Sequence, residues 1–573
     1  MEKDQLIQSR HYTAWELIKL YWKSEQRYSA YFFLFIVMLM TMLIIAMDVA
    51  FNYWYNFFYD ALQAYNKAAT IRLLIIFTVM ATVYIILAVY RFYLSQLFGL
   101  RWRRWLTEQF INRWLHKRSY YYLENFDEKT DNPDQRIQED VGTLIINTID
   151  LTIGLVSSVT TFFAFIYILW KLSGVMHVHI GGYILYIPGY LLWVGVLYAV
   201  FGSWITIKIG RPLVPLNFEQ QSREATFRYA AIDLRSHAEH VALYRGEQHQ
   251  SSILNRLFGR VLDNWYFIIM RQKLLLWFTA GYNQISVLLP LVAALPNYFE
   301  KVFLLGGLMQ SLQAFGRVQD SLSYIVNSYT QIATWQAITR RLTTFLNHMN
   351  DADKHAIEEN QLIFSKHKEN SIYIKNVTIK TPRGEVLLTD INEIMQYGRH
   401  YLIIGPSGIG KSTFVRTIAG IWPYAAGEIT LPENQKMMYL PQKPYMPIGT
   451  LAEAILFPDK RDPELEKDLK QILKDCHLEN LISRLYDTAS WAEQLSPGEL
   501  QRVTFARVLL HKPDWVFLDE STSMLDLANE EYLYKLMQSR LPDCSIVSVG
   551  HRPSLNGFHN EIIDVTKYSI HAF

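Results

Sequence analysis

The stretch Tyr401-Leu-Ile-Ile-Gly-Pro-Ser-Gly-Ile-Gly-Lys-Ser-Thr413 reads in three parts. Tyr401–Ile404 is a short apolar run of strand character. Gly405, Pro406, Ser407, Gly408, Ile409 and Gly410 form a glycine-rich loop, and Lys411, Ser412 and Thr413 open a helix. The spacing fits G-x-x-x-x-G-K-[ST], the phosphate-binding P-loop. Glycines let backbone N–H groups turn in around a β-phosphate, and the helix that follows presents its positive end to the same oxygens. Lys411 neutralises β- and γ-oxygens, and the Ser412 hydroxyl is placed to hold Mg²⁺ on ATP. So short a pattern also arises by chance; its place between a strand and a helix is the context it requires.

Outward from this loop the pattern repeats its logic. Trp515-Val-Phe-Leu518 is an apolar strand that delivers Asp519 and Glu520 at its tip. Asp519 is expected to bind Mg²⁺, and Glu520 to polarise the attacking water as general base. From about 371 onward, short strands (IYIKNVTI, HYLIIG, WVFLDE) alternate with helices, which predicts an α/β nucleotide-binding domain over 371–573. The charged stretch 351–370 reads as a linker. Cys476 and Cys544 form no metal or disulfide pattern.

Residues 1–350 have a different character. Apolar runs at about 31–50, 71–94, 149–170, 183–207, 274–295 and 303–335 predict six membrane helices, since ~20 residues span the ~30 Å hydrocarbon layer. Segment 101–148 carries eight Lys/Arg and 208–273 carries ten, whereas the loop 173–182 carries none. By the positive-inside rule the N-terminus, both long loops and the ATPase domain are expected on the cytoplasmic side. The long loops read as helices continuing past the bilayer. A net charge of +2 gives no reason to expect nucleic acid as a partner.

Further motifs make the resemblance specific. Leu495-Ser-Pro-Gly-Glu499, followed by Leu-Gln-Arg502, resembles the signature motif of ABC ATPases. Gln442 in LPQKPYM resembles the Q-loop, Ser523-Met-Leu-Asp526 the D-loop, and His551 in GHRPSL the switch histidine. With the P-loop and the acidic strand, six ABC elements stand in family order across 405–551. The resemblance implies two ATPase domains that sandwich two ATP molecules, each site pairing one chain's P-loop with the other's signature. Ser496 and Gly498 would then meet the γ-phosphate, with Glu499 and Asp526 beside the nucleotide. His551 would hold the γ-phosphate and the water, and Gln442 would couple Mg²⁺ to the membrane domain. One set per chain implies a second, identical chain. Pro497 and Glu499 stand where the family usually has glycine and glutamine. Thr381-Pro382 occupies the place of the usual adenine-stacking aromatic.

Gly420-Ile-Trp-Pro423, PQKPYM and HRPSL look like two related groups: peroxisomal fatty-acyl half-transporters, and the bacterial SbmA/BacA-like (YddA-like) ABC transporters. Asn56-Phe-Phe-Tyr-Asp60-Ala-Leu-Gln63, Gly281-Tyr-Asn-Gln284 and Ala314-Phe-Gly-Arg-Val-Gln-Asp320 resemble the second group's membrane domain. That implies a six-helix, type IV exporter-like fold fused to the ATPase domain. It also implies ATP-driven movement of a peptide or cobalamin-like solute across the bacterial inner membrane, by import. Export, or fatty-acyl, lipid-like or drug cargo, is the alternative. A soluble ABC factor is disfavoured by six membrane segments, and a degenerate receptor by intact Lys411, Asp519, Glu520 and His551.

Gln310, Gln313, Arg317, Ser321, Tyr324 and Ser328 recur every three or four residues, and so share one helical face. Such a face lines a polar cargo cavity, or else Arg317 and Asp320 pair beyond the bilayer. Asp48 reads as an interfacial carboxylate, and His177 with His179 as an external H-x-H pair. Asn132–Ile137 and Ala238–Gly246 fit coupling helices by position.

Overall fold

The computed structural model describes residues 12–126, 132–180, 183–358, 361–459 and 466–570. The chain divides into two units: Met1–Arg118 with Lys129–Met349, and Ser119–Glu128 with Asn350–Phe573.

The first unit is helical. Helix α1 (Ala14–Trp22) starts at a capping box in which Thr13 and Glu16 satisfy each other's backbone N–H groups. The long helices follow: α2 (Arg27–Gln63), then α3 (Lys67–Leu115), which starts where the Asn66 side chain accepts from Ala69 N. A short α4 (Ser119–Phe126) counts with the second unit. Then come α5 (Pro133–Gln135), a π-helical turn (Arg136–Asp140) and α6 (Val141–Ser173). They continue as α7 (Tyr190–Gly210), α8 (Leu213–Ser236), α9 (Ala238–Leu243) and α10 (Glu247–Phe299). The set closes with α11 (Leu305–Asn327) and α12 (Tyr329–Glu358). Among the described residues, five stretches are long and apolar enough to cross a membrane: Arg27–Gln63, Lys67–Asn125, Pro133–Ser173, Tyr190–Ser236 and Glu247–Phe299. At 53 residues, α10 is roughly 80 Å long, far more than the ~30 Å hydrocarbon layer needs.

The sequence expectations differ from the structure at three element boundaries. Residues 183–188 do not begin the fourth helix. Strands β1 (Val175–Ile180) and β2 (Tyr183–Pro188) form an antiparallel hairpin, and α7 starts only after Gly189. The apolar, β-branched run 183–188 is long enough for a strand and too short to fix a helix. His177 and His179 lie on β1; their side chains fall outside the described residues. The run 303–335 is cut at Ser328, where α11 ends and α12 begins. Strand β3 (Gln361–His367) lies inside the stretch read as a linker, because Leu362-Ile-Phe364 forms an apolar strand core within charged surroundings.

The seam between α2 and α11 decides the fate of the polar face. Asn56 Nδ2 donates to Gln310 Oε1 (2.7 Å), and Asn52 Nδ2 to the Gln310 carbonyl (3.1 Å). The N-terminus of α11 is capped from α2: Gly306 N donates to Asp60 Oδ1 and Leu305 N to Gln63 Oε1, both at 2.8 Å. A Cβ at Gly306 would lie 1.9 Å from the Asn56 carbonyl, so only glycine permits this approach. One helical turn after another, Arg317 Nη2 meets Asp48 Oδ1 at 2.7 Å. Arg317 therefore pairs across helices, with Asp48 of α2. Gln310 is buried, Ser321 bonds back to the Arg317 carbonyl, and Tyr324 donates to the Leu151 carbonyl. Gln310, Arg317 and Tyr324 of this face thus bond to neighbouring helices.

The second unit carries two sheets. Strands β3, β7 (Ala425–Pro432), β4 (Ile372–Lys380) and β5 (Val386–Met395) form one, in that order. The other is all parallel, in the order β13-β6-β12-β11-β8. Its strands are β6 (Tyr401–Ile404), β8 (Met437–Leu440), β11 (Trp515–Asp519), β12 (Ser545–Val549) and β13 (Glu561–Asp564). A ribbon of β9 (Gly449–Thr450) and β10 (Thr488–Ala489) stands apart. β11 is a nearly continuous apolar run and β12 is buried throughout, because both faces of this sheet are covered.

Candidate ATP-hydrolysis site

In an open parallel sheet the loops at the strands' carboxyl ends form the ligand site. Four adjacent strands here each deliver one group from that end. β6 runs into the P-loop, β12 into Gly550-His551, β11 ends in Asp519-Glu520, and β8 leads through Pro441 to Gln442. Register fixes their levels: Asp519 is opposite Val549, and Val549 opposite Ile403. Trp515 and Phe517 anchor β11 in the core, Phe517 stacking on Tyr439 at 4.6 Å.

The P-loop turns through left-handed glycines; Gly410, at φ +113°, caps the helix Lys411–Ile418 where other residues are strained. Lys411 Nζ donates to the carbonyls of Gly405 and Pro406, both at 2.9 Å, folding the lysine over its own loop. Burial lowers its pKa, with Glu520 and Asp519 pulling the other way. Ser412 Oγ donates to Asp519 Oδ1 at 2.8 Å. Burial raises the Asp519 pKa, opposed first by that Ser412 hydrogen bond and then by Arg416.

Glu520 sits between two partners. Gln442 Nε2 donates to its Oε2 at 2.8 Å, and His551 Nε2 stands 3.7 Å from Oε1. Its backbone holds φ +47°, uncommon for a non-glycine residue, pinned by Glu520 N donating to the Val549 carbonyl. Strain of this kind is found where surrounding structure over-determines a functional position.

Ser496 caps the helix Pro497–His511 and forms a capping box with Glu499. Pro497 occupies the first helical position, where its missing N–H is one the helix leaves unpaired anyway. The Glu499 carboxylate accepts from Ser496 N (3.0 Å), Ser496 Oγ (2.9 Å) and Asn480 Nδ2 (3.1 Å). Those bonds, the Ser496 backbone one foremost, lower its pKa. The amide of Gly498 lies in the same first turn. Asp526 caps the helix Leu527–Arg540, accepting from Asn529 N at 2.8 Å.

The structure brings together Lys411, Ser412, Asp519, Glu520, Gln442 and His551. It adds supports that sequence reading left without a role. Gln501 Oε1 accepts from Met524 N (3.0 Å), tying the signature helix to the D-loop. Arg552 donates to the carbonyls of Ser523 (2.8 Å) and Leu525 (2.9 Å). Buried Arg507 donates to the carbonyls of Tyr445 (2.6 Å) and Ala454 (2.7 Å). Each lies within a few residues of a motif or in its helix, the signal available beforehand. The Thr381–Pro382 corner follows Lys380, whose carbonyl accepts from Trp422 Nε1 at 2.9 Å.

A parallel-sheet P-loop site with a strand-tip acid pair, joined in one chain to a bundle of membrane-length helices, defines a membrane-bound nucleotide-driven machine. Comparisons with known proteins give the family. A profile described as ABC transporter transmembrane region 2 matches residues 17–299, and one described as ABC transporter matches 388–523. An uncharacterised ABC transporter ATP-binding protein of Haemophilus influenzae is 37 % identical over 83 % of this chain and 79 % of its own. The Escherichia coli inner membrane ABC transporter ATP-binding protein YddA is 31 % identical over 96 % of each. Human ATP-binding cassette sub-family D member 3 is 26 % identical over 79 % of this chain and 72 % of its own. The solved structure of a bacterial Atm1-family ABC exporter with ATP bound superposes with a TM-score of 0.73 over 92 % of each chain, at 18 % identity.

The chain belongs to the ABC transporter family. It is a half-transporter, with one membrane domain of exporter-like fold and one ATPase domain, and it couples ATP hydrolysis to transport across a membrane.

Proposed function

We propose that two identical chains form the working transporter in a bacterial inner membrane, and that it imports a hydrophilic or amphipathic solute of the peptide or cobalamin class. The observation that carries the hydrolytic half of this reading is the position of Glu520 between Gln442 and His551, beside the Ser412–Asp519 contact.

In this reading Lys411 leaves the Gly405 and Pro406 carbonyls to meet the β- and γ-phosphates of ATP. The Ser412 hydroxyl, the Asp519 carboxylate and the Gln442 side chain are hard oxygen donors, which suits Mg²⁺. The ion, when bound, neutralises charge on the β- and γ-oxygens. Glu520 accepts the proton of the attacking water and His551 positions that water against the γ-phosphate. Ser496, Gly498 and Glu499 face the nucleotide of the partner chain, with Asp526 at the same interface. The N-terminus and the ATPase domain lie in the cytoplasm.

A second chain is supported by the arm α8–α9–α10. α8 packs on the adjoining half of α10, where Asn264 donates to Gln220 Oε1 and to the Leu216 carbonyl. At its tip Leu243 and Tyr244 are 74 % and 86 % exposed. Large apolar side chains left bare at the end of a rigid arm suit a protein partner. The resemblance to SbmA/BacA-like proteins supports the cargo class and the inward direction.

The test uses sealed proteoliposomes with the ATPase domains facing out, and the Glu520→Gln variant as blank. That variant is expected to bind ATP and lose at least about 100-fold in turnover. ATP-dependent loss of preloaded labelled cobalamin or proline-rich peptide supports import. ATP-dependent accumulation of any cargo overturns the direction, and accumulation of a fatty-acyl thioester overturns the cargo class as well. Wild-type hydrolysis by Glu520→Gln overturns the catalytic assignment.

A further inference from the structure

His551 lies past Val549, the last residue of β12, and before the turn Pro553–Phe558, in a stretch that is neither helix nor strand. Its side chain is 46 % exposed and reaches Glu520 Oε1 at 3.7 Å. Such a ring keeps its place only if the backbone beneath it is held.

Three hydrogen bonds close a loop around it. Glu520 N donates to the Val549 carbonyl at 3.1 Å, and Ser523 N donates to the Glu520 carbonyl at 3.0 Å. Arg552 Nη2 then donates to the Ser523 carbonyl at 2.8 Å, and the chain leads back through His551 to Val549. The first two bonds run from backbone to backbone and depend on no side chain. The third is made by the guanidinium alone. Arg552 Nη1 also donates to the Leu525 carbonyl at 2.9 Å, so the side chain grips the D-loop at two points. A planar guanidinium presents its N–H groups in a fixed fork, and a charged donor bonds a carbonyl more strongly than a neutral one.

A carboxylate braces this grip. Glu530, on the helix Leu527–Arg540, is 1 % exposed. Its Oε1 accepts from Thr522 Oγ1 at 2.5 Å and stands 3.6 Å from Arg552 Nη1. Its Oε2 accepts from Ser554 Oγ at 2.9 Å. Thr522 belongs to the turn after Glu520 and Ser554 to the segment after His551, so one buried carboxylate ties both. Burying a carboxylate is costly unless it is paired and hydrogen-bonded, and the arginine with two hydroxyls meets that need.

We propose that Arg552 is a positioning residue for ATP hydrolysis. Braced by Glu530, it holds the backbone of His551 to the turn that carries Glu520, and so sets where the His551 ring stands at the γ-phosphate. This role presupposes the parts proposed above for Glu520 and His551. Nucleotide binding is left to the P-loop, whose Lys411 and Ser412 contacts do not involve Arg552.

The test is steady-state and single-turnover ATP hydrolysis by the full-length protein, comparing wild type, Arg552→Gln, His551→Ala and the double variant. Arg552→Gln is expected to lower kcat about tenfold, within the ~100-fold that a misplacement of about 1 Å can cost, and to change the KM for ATP less than about twofold. In the His551→Ala background the same substitution is expected to lower the single-turnover rate less than about twofold, because the ring it positions is gone. Arg552→Lys keeps the charge and one donor, and is expected to fall between Arg552→Gln and wild type. If Arg552→Gln does not fold, Arg552→Lys carries the same comparison. An unchanged kcat, a raised KM without loss of kcat, or an equal loss in both backgrounds overturns the proposal while the role of His551 stands. Wild-type hydrolysis by His551→Ala overturns the role of His551, and that of Arg552 with it.

Discussion

The ATPase unit and the membrane unit use polar residues in opposite ways. In the ATPase unit, Lys411, Asp519, Glu520, Gln442 and His551 are gathered at strand ends, and their hydrogen bonds are mutual and few. Such contacts exchange readily when a ligand arrives. In the membrane unit, Asp48, Asn52, Asn56, Asp60 and Gln63 recur at one face of α2 and meet α11 through backbone and side-chain partners. These contacts tie α2 to α11 and cap the start of α11. A polar residue is therefore a reagent in one unit and a fastener in the other.

The largest effect that distinguishes the two uses is expected at Asp48. Asp48→Asn leaves Arg317 without its counter-charge. The cost is expected at about 2 kcal/mol, below the ~3–5 kcal/mol of a fully buried pair because 44 % of the Arg317 side chain is exposed. Thermal unfolding in a fixed detergent reads it, and Asp48→Asn combined with Arg317→Gln is expected to restore more than half of the loss. If the double variant shows the sum of the two single losses, the pair is no fastener. The cavity reading of the Gln310–Ser328 face then regains its ground.

What could be read beforehand follows from the same contrast. The P-loop chemistry is local: thirteen consecutive residues from Tyr401 to Thr413 contain strand, loop and helix start together. Asp519 was legible because it ends an apolar strand; Gln442 and His551 were legible through the resemblance of LPQKPYM and GHRPSL to ABC motifs, and the parallel strands place all three side by side. The seam was not legible. The 3.6-residue period gives the polar face of α11 but not what covers it, and Arg317 finds Asp48 across 269 positions of sequence. The fourth-helix start at 183 and the linker at 351–370 failed for a third reason. Strand β2 is an apolar run of six residues and β3 a seven-residue strand with the apolar core Leu362-Ile-Phe364, and the type of each is settled by a pairing partner, not by composition.

A smaller effect lies in the ATPase unit away from the nucleotide. His559 sits behind the switch region, Nδ1 at 2.7 Å from the Leu555 carbonyl and Nε2 at 2.9 Å from Ser548 Oγ. Burial pushes its pKa down to about 4, with the Leu555 contact opposing and His400 adding. Because the folded value lies below the unfolded one near 6.5, the unfolded chain binds the extra proton. The stability is present above pH 6.5 and is lost as the pH falls towards 4, at up to about 1.4 kcal/mol per pH unit. Calorimetry between pH 5 and 7 is expected to show a shallower slope in His559→Gln. An unchanged slope assigns the acid sensitivity elsewhere, with His400, also lowered by burial, as the next group to test.

The smallest effect sharpens the contrast most, because Glu499 is both fastener and reagent. Its carboxylate completes the capping box of Ser496, occupying the helix end where the γ-phosphate of the partner chain's ATP is proposed to arrive. Two anions then compete for one positive helix end. Glu499→Gln keeps an acceptor oxygen for Ser496 and removes the charge. Hydrolysis is expected to reach half-maximal rate at about fivefold lower ATP, the equivalent of ~1 kcal/mol at a helix terminus, with the gap narrowing at high salt. Thermal stability is expected to fall slightly, since the carboxylate also favours the helix end. A half-maximal ATP concentration that stays the same, with stability alone reduced, would make Glu499 a cap and nothing more. The phosphate contact of the signature would then rest on Ser496 and the Gly498 amide.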